Sequence, residues 1–558
     1  MKRFRIAAHA LLLVGLAACS TLDELTDLQV PNENNPDRER VLAQATDIEG
    51  VIGGALLIWW GGSQYSSPSW ALSTAADEGT MSWGNFGMQQ LSSEPRVAWP
   101  NDPAWTYRAM TQTPWYGNYG ALSAVYDGLT SIATNPTAAS DIDVNRAKAF
   151  AKLVQGMSHG YLALFYDSAF VFDEQVNLET DVLTLKPYPD VAAAAYAELQ
   201  EAITIANANS FTIPNEWFDG NPMTNTQLAR FAHSLLARFM SQMPRSPGER
   251  AALNWNTIIG HVDAGITSDI EIVSNTDRFW KSLQWYGYQV TNTTWARADY
   301  KTIGWLDTSG RFATWLATPV ANRNEFLLDT PDRRIIGAGG NKTDGTDFKY
   351  MGPSRFPSAR GTYHYSFYGG SRYANYPASN GTAPARWMTT VEMQHIKAEG
   401  LLRTGGPTQA VADIINATRV TRGQLPPALA TDADLMDKLI YEKRIEGYLL
   451  CSGCAYFDRR GFGPPAPTGP AFHQGPVEGT PAHFAPPGLE LNVLQKPLYT
   501  YGGVGNEGGT LQPSGAPALH LSSAGTKAPA SAVYVPAARR FGGEFSPGAA
   551  ALAERRYW

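Results

Sequence analysis

The sequence predicts a mostly α-helical protein, built from antiparallel helical hairpins that are separated by long irregular stretches. Apolar residues recur at the helical 3-and-4 spacing in several blocks, of which 143–166 is the clearest. Alanines are frequent in these blocks and allow two helix backbones to approach closely. No comparable set of alternating strands is present, which disfavours a β-rich or doubly wound fold.

The other helical blocks follow in chain order. Residues 190–207 have Asp190 as the predicted N-cap, and 225–241 form the next helix. Ser246-Pro247-Gly248-Glu249 has the pattern of a capping box with proline in the first turn, and predicts a helix that runs toward residue 266. Later helices are predicted at about 387–403, 407–420 and 433–450.

Helical repeats are thus expected at about 113–267 and 387–452, and they resemble tetratricopeptide-type hairpins whose 34-residue period is blurred by insertions. Loops as long as the irregular stretches are usually functional or disordered, and their many tryptophans argue against disorder. We therefore predict a single helical domain over 41–558 with loop-rich insertions at 59–112, 268–385 and 461–550.

The N-terminus has the three parts of a secretory signal peptide, predicted over residues 1–18. Leu16-Ala17-Ala18-Cys19 resembles the bacterial lipobox, in which the cysteine is acylated and becomes the mature N-terminus. The alternative is an ordinary signal peptide that ends near a cysteine. Residues 19–40 are acidic and poor in large apolar groups, which predicts a lipidated, flexible tether.

Composition excludes some partners. The formal net charge is -7 and the chain has no basic run, so nucleic acid is not expected as a partner. In an exported protein, Cys451 and Cys454 are expected to form a small disulfide or to remain two buried thiols, and a zinc site fits their spacing poorly. No metal and no cofactor is predicted.

Three short motifs suggest chemistry that their context does not support. Gly156 to Gly160 match G-x-S-x-G, but Ser158 lies within a predicted helix and not on a strand-to-helix turn. Residues 503–508 match G-x-G-x-x-G without a surrounding βαβ unit. His395 and Glu399 lie one helical turn apart and are expected to form a surface pair. No catalytic residue is predicted.

Three helical segments carry a resemblance to one family. Residues 392–405 are similar to the "LAEAYLRTG" helix of SusD/RagB-type outer-membrane lipoproteins. Residues 442–446, Gly453 and 457–460 resemble that family's "ERRxE…EG.R..DL.R" segment, and 148–167 resemble its early "ALYYFYLVRLYGD" helix. Cys451-Ser452-Gly453-Cys454 departs from the usual Glu-Gly-x-Arg, and the last hundred residues lack a clean closing motif of the family.

The resemblance implies a SusD-like helical fold and a protein that performs no chemistry. It implies a nutrient-binding lipoprotein, exposed on the cell surface, that delivers an oligosaccharide or a peptide to a SusC-like TonB-dependent transporter in the outer membrane. A lipid-anchored hydrolase that uses Ser158 or a carboxylate pair, and a tetratricopeptide-like scaffold for protein partners, are the alternatives.

Aromatic residues interleaved with amides in two loop stretches are the candidate ligand contacts, because sugars stack their C–H faces on rings and hydrogen-bond to polar groups. The alternative is that these rings fix the loops to the helical core. The candidates are Trp83, Asn85, Trp99 and Asn101 in the first stretch and Trp285, Tyr286, Tyr288 and Trp295 in the second.

Replacing Cys19 with serine tests the anchor. The serine removes the thiol that accepts the lipid, and because membrane attachment then has no acyl chains to bury, we expect the protein to move from the membrane to the soluble fraction. Cell fractionation with immunodetection measures this, with Ser20→Ala as the control. Membrane retention of Cys19→Ser equal to that of the control would contradict the prediction.

Overall fold

The structure is a computed structural model, and it describes residues 42, 44–80, 85–273, 278–279, 281, 297–353, 366–463 and 475–508, without the side chains of Ser66 and Asn85. The predicted signal peptide, the lipid site Cys19 and the tether over 19–40 lie outside these residues and stay predictions.

Helices dominate the described chain, as the sequence predicted. The first ten are α1 (Ala45–Ser63), α2 (Ser66–Ala75), α3 (Met88–Ser92), α4 (Ala109–Thr134), α5 (Pro136–Ala139), α6 (Val144–Phe165), α7 (Tyr188–Ala208), α8 (Asn225–Gln242), α9 (Pro247–Ala251) and α10 (Trp255–Asp263). The later ones are α11 (Tyr300–Ile303), α12 (Arg311–Ala317), α13 (Asn375–Ala378), α14 (Thr390–Arg403), α15 (Thr408–Arg419), α16 (Leu435–Glu446), α17 (Cys454–Arg460) and α18 (Gly488–Val493). None of the described helices is long and apolar enough to cross a membrane.

Strands are short and occur in antiparallel pairs. They are β1 (Gly79–Thr80) with β7 (Arg297–Ala298), β2 (Ser168–Ala169) with β3 (Lys186–Pro187), β4 (Thr212–Ile213) with β5 (Met223–Thr224), β6 (Ile270–Val273) with β10 (Pro384–Met388), and β8 (Phe348–Tyr350) with β9 (Tyr368–Gly370). Each pair joins loops or helix ends, and none forms a larger sheet within the described residues.

The long helices pack as antiparallel hairpins. In the pair α6 and α7, Lys152 contacts Glu201 near one end and His159 contacts Glu198 further along, so the two helices run in opposite directions. Gly156 of α6 faces Leu199 of α7, where an added Cβ would lie 2.5 Å from the Leu199 side chain. The small residues around Ser158 therefore allow close helix packing, as the sequence predicted.

Local capping fixes several helix starts. The Asp143 side chain accepts a hydrogen bond from the Arg146 N–H at 3.0 Å, so α6 begins where the apolar spacing predicted. At the start of α8, Thr224 and Gln227 form a capping box.

Two details of the predicted helices were wrong. The N-cap of α7 is Pro187, and Asp190 lies in the first turn, because the chain enters the helix directly from β3. The helix expected from Ser246 to residue 266 is divided into α9 and α10, since Asn254 leaves the helical conformation and caps the second helix.

The buried apolar side chains of the described residues form three clusters. A large one lies mainly among α1 to α10, a second among α11, α12, α16 and the strands β8 and β9, and a small third one among α14, α15 and α16. The second cluster is rich in rings, including Trp70, Tyr300, Trp315 and Tyr368. The strand pair β1 and β7 contributes Ala298 to this second cluster, and it supports the candidate site described below.

The crossing of α1 and α4 gives a test of the packing, because Gly62 touches the Gly117 backbone. An added Cβ at Gly62 would lie 2.6 Å from the Gly117 Cα, whereas at the adjacent Gly61 it would meet nothing within 4 Å. We expect Gly62→Ala to lower the free energy of unfolding by about 1–3 kcal/mol, because the backbone contact cannot be relieved by a rotamer change. Gly61→Ala should leave it unchanged or raise it by up to about 1 kcal/mol, since alanine favours the helix.

Urea denaturation followed by circular dichroism measures both variants. An equal free energy of unfolding for Gly61→Ala and Gly62→Ala would show that the two helices do not cross at this point.

Candidate ligand-binding site

The strand pair β1–β7 joins the two aromatic stretches that the sequence marked. Gly79 pairs with Ala298 and Thr80 pairs with Arg297. Trp83 follows Thr80 by three residues, and Trp295 precedes Arg297 by two. Both predicted ligand-binding segments are therefore attached to the same point of the fold.

Arg297 connects a third segment to this point. Its guanidinium is fully buried, and Nη1 donates hydrogen bonds to the carbonyl oxygens of Gly352 at 2.8 Å and Ser366 at 3.1 Å. Residues 354–365, between these two carbonyls, include Tyr363-His364-Tyr365. This stretch is not among the predicted ligand contacts, although its aromatic residues within the long insertion 268–385 were a usable signal.

Most of the predicted contact residues lie outside the described residues. These are Trp83, Trp285, Tyr286, Tyr288 and Trp295, together with the side chain of Asn85. Their role in binding stays a prediction, and the structure adds the place from which their segments leave the described chain.

Trp99 and Asn101 are described, and both are buried. Trp99 is 3% exposed and lies edge-on to Trp105, with ring centroids 4.5 Å apart. The Asn101 amide donates to the Pro486 carbonyl at 3.0 Å and accepts from the Gly488 N–H at 2.9 Å. For Trp99 and Asn101, these contacts therefore favour the alternative interpretation, in which the side chains fix a loop to the helical core.

The turn Asn85–Gly87 is held between two tryptophans. Phe86 lies edge-on to Trp70 with ring centroids 4.6 Å apart. Gly87 has φ +78°, and an added Cβ would lie 2.2 Å from the Trp99 ring. Glycine at this position therefore serves both the left-handed backbone and the close approach of the ring.

A network of buried charges lies directly beside β1. The Arg96 guanidinium donates to Asp77 at 2.7 Å, and Lys301 lies 3.3 Å from the same carboxylate. Burial alone would raise the pKa of Glu94, but the adjacent Lys301 and Arg323 lower it to about 2. The network fixes both chain segments on which the strand pair depends.

Two further buried acidic residues lie at the same end of the strand pair. Glu78 precedes β1 and Asp299 follows β7, and the Asp299 N–H donates to the Glu78 carbonyl at 3.2 Å. The Glu78 carboxyl accepts from the Leu449 N–H at 2.5 Å. Burial raises the pKa of Glu78 to about 7 and that of Asp299 to about 7. The base of the candidate site therefore holds two acids that ionise near neutral pH.

Residues that carry the family resemblance form buried ion pairs, and Arg444 and Arg459 among them also donate hydrogen bonds to the segments beside the strand pair. Arg250 donates to both oxygens of Glu399 at 2.6 Å and to Asp458 at 2.8 Å. Lys443 contacts Glu399 at 2.9 Å and Asp458 at 2.7 Å. The expectation that His395 and Glu399 form a surface pair was wrong, because α14 is covered by α10, α16 and α8 and buries both side chains.

Ser158 and the possible metal ligands of the described residues do not form the arrangements that a serine hydrolase or a metal site requires. Ser158 is 0% exposed in the middle of α6 and not on the turn that a nucleophile elbow requires. No group of three metal-binding side chains occurs in the described chain. Cys451 and Cys454 form a disulfide, one of the two states expected from the sequence.

A small, partly open cavity lies beside this disulfide. It is lined by side chains that include Thr389, His395, Glu446 and Phe462 and has a volume of about 60 Å³, which accommodates a few water molecules. Ligand pockets usually enclose about 300–1,000 Å³, so this cavity is too small to hold an oligosaccharide.

The chain is similar in structure to several solved proteins. A SusD superfamily protein from Parabacteroides distasonis ATCC 8503 aligns with TM-score 0.50 and 10% sequence identity, over 75% of this chain and 88% of that chain. A SusD-like protein from Bacteroides fragilis NCTC 9343 aligns with TM-score 0.49 and 13% identity, over 79% of this chain and 88% of that chain. A SusD superfamily protein from Bacteroides thetaiotaomicron VPI-5482 aligns with TM-score 0.48 and 12% identity, over 75% of this chain and 88% of that chain.

No protein-family model and no curated protein sequence matches the chain. At these identities the structural likeness concerns the fold. The predicted SusD-like, mostly helical fold is confirmed.

The buried carboxyl of Glu78 predicts a pH dependence of stability. An acid whose pKa is raised in the folded state binds its proton more tightly there than in the unfolded chain. The stabilisation from Glu78 is therefore complete below the unfolded pKa of about 4.5, and it is lost as pH rises through the folded pKa of about 7. We expect Glu78→Gln, which keeps an acceptor for the Leu449 N–H, to lose less stability than the wild type between pH 5 and pH 8.

Thermal denaturation at pH 5, 6, 7 and 8 measures this difference, with the exposed Glu179→Gln as a matched control. A wild-type curve parallel to that of Glu78→Gln over this range would contradict the assignment.

Proposed function

We propose that this chain, which has the SusD-superfamily fold, binds an oligosaccharide at the bacterial cell surface and delivers it to a TonB-dependent outer-membrane transporter. The observation that carries the proposal is the pairing of Thr80 with Arg297, which attaches the two aromatic segments to one point. In this role Trp83 and Trp285 are stacking platforms, and the amides near them hydrogen-bond to sugar hydroxyls.

The buried groups of the described site are suited to a protein that binds its ligand without catalysing a reaction. Glu78 and Asp299 lie buried under the strand pair, where a bound sugar would not reach them, and both are used to hold the backbone. The charges beside them are paired, as in Arg96 with Asp77. A rigid, charge-satisfied base limits the conformational entropy that binding must remove from the segments above it.

The lipid on Cys19 would hold this domain at the outer membrane. Residues 19–40 would act as a flexible tether that lets the domain approach a transporter. The transporter in this proposal is a SusC-like barrel, and the proposal predicts that it co-purifies with the protein after mild detergent extraction.

Two alternative functions have different requirements. A hydrolase that used Ser158 would need substrate access to a side chain that is fully buried between helices. A scaffold for protein partners would not need the aromatic segments to respond to sugars. The measurements below separate both alternatives from the proposed binding role.

Replacing a stacking ring tests the proposal. Tryptophan fluorescence and isothermal titration calorimetry with a panel of oligosaccharides should show saturable binding by the wild type. We expect Trp83→Ala and Trp285→Ala each to weaken the affinity for the recognised sugar by about tenfold, because each loss of a ring–sugar contact is comparable with an aromatic pair at about 0.5–1.5 kcal/mol.

Tyr196→Ala, at a half-buried ring on α7, is the matched control and should bind as the wild type does. Chromatography of the sugar after incubation should show no product. Binding that is unchanged in both tryptophan variants, or the absence of binding by the wild type to every sugar and peptide in the panel, would exclude the proposed role.

A further inference from the structure

Exposed apolar side chains concentrate on one surface of the described chain. Ten large apolar residues are exposed in the described part, and five of them lie on two segments, 95–104 and 488–508. We call these five the C-terminal apolar surface. They are Val97, Leu489, Val493, Leu498 and Val504.

The two segments are fixed side by side. The Trp99 N–H donates to the Tyr501 carbonyl at 3.1 Å, and Ala98 forms a β-bridge with Gly502. The hydroxyl of Tyr501 donates to Asp167 at 2.8 Å, and that of Tyr499 donates to the same carboxylate at 2.9 Å. The C-terminal apolar surface therefore belongs to an ordered part of the fold, held by backbone and buried side chains.

The surface is also almost free of charge. Among the exposed residues of these two segments, Asp102 is the only charged one. The others are apolar, small or uncharged polar residues, with prolines at positions 95, 100 and 497 and amides at 492, 495 and 506. Large apolar side chains exposed on adjacent segments with little charge favour a contact with another chain segment, another protein or a membrane.

We propose that residues 509–558 of the same chain cover the C-terminal apolar surface. The described chain reaches Gly508 at the edge of this surface, since the Ala482 N–H donates to the carbonyl of the preceding Glu507 and Gly503 lies against Ala98. From 509 to 538 the only charged side chain is Lys527, and this stretch contains Val533-Tyr534-Val535. A nearly uncharged segment thus begins next to a nearly uncharged surface.

Residues 509–558 are favoured over a separate protein because they are covalently attached next to the C-terminal apolar surface. A segment attached at the edge of its own binding surface has an effective concentration of about millimolar, so weak apolar contacts suffice to hold it there. A second protein would have to compete with that concentration. The inference is independent of the proposed ligand and of the transporter.

Photo-crosslinking in the full chain tests the proposal. The crosslinking residue p-benzoylphenylalanine is introduced at Val493 or at Leu498, both of which are exposed, and folding is checked by circular dichroism. After irradiation, mass spectrometry should find the crosslink to a peptide within 509–558. An equal mixture of ¹⁴N and ¹⁵N protein should show that both ends come from one chain.

Val182 is the matched control, because it is 59% exposed and Val493 is 62% exposed, on different parts of the fold. The same residue at position 182 should give no crosslink to 509–558. The proposal is overturned by crosslinks from positions 493 and 498 only to a second copy, a lipid or another protein, or by no crosslink at all. Equal crosslinking from position 182 would overturn it as well.

A second measurement needs no crosslinker. The double change Val493→Asp and Leu498→Asp places charge on the surface, and we expect amide hydrogen exchange within 509–558 to become several-fold faster. Val182→Asp should leave it unchanged. Exchange in 509–558 that is the same in the wild type and in the double variant contradicts the proposal.

Discussion

The bidentate ion pair between Arg250 and Glu399 is the interaction on which the two helical parts of the molecule depend. It joins residues 149 positions apart, and both partners are excluded from solvent. Desolvating two charges is costly, and the cost is offset only when the geometry is good and the remaining donors are satisfied. Here Arg250 also donates to the Ser241 and Asp458 carbonyls and to the Asp458 carboxylate, so no donor of the guanidinium is left without a partner. Loss of either partner would leave a buried charge uncompensated, which is far more damaging than the loss of a surface pair.

A second buried arginine serves the other core in the same way. Arg334 contacts Asp332, Glu442 and Glu446, and all four side chains are buried. Glu442 and Glu446 belong to the segment that carried the family resemblance, and so do Lys443 and Asp458 of the first network. The recognisable residues therefore maintain the scaffold, and Arg444 and Arg459 among them also hold the segments beside the strand pair, by donating hydrogen bonds to the Lys301 and Ala76 carbonyls. This explains how a fold can be recognised from its sequence while its ligand is not.

What could be predicted from the sequence follows from how local each signal is. The start of α6 was predictable because Asp143 and the apolar spacing lie within a few residues of each other. The division between α9 and α10 was missed, since it depends on the single residue Asn254. Its side chain caps the start of α10, and its backbone leaves the helical conformation. The pairing of Thr80 with Arg297 was not predictable, because two-residue strands carry no periodicity and their partners are far apart in the chain. The burial of His395 likewise depends on α16, which packs against α14 from a distant position.

The strand pair itself is too short to be stable alone, since an isolated two-stranded ribbon is marginal in water. Its stability comes from the groups around it: Arg297 is tied to two carbonyls, and Ala298 packs in the ring-rich core. The position of the candidate site is thus determined by buried residues, whereas its proposed contacts belong to the segments that leave the pair. The buried residues are constrained by packing, whereas the proposed contact residues are constrained by the chemistry of the ligand. If the proposed function holds, a fold divided in this way can change its ligand through its loop residues while the buried arginine networks stay as they are.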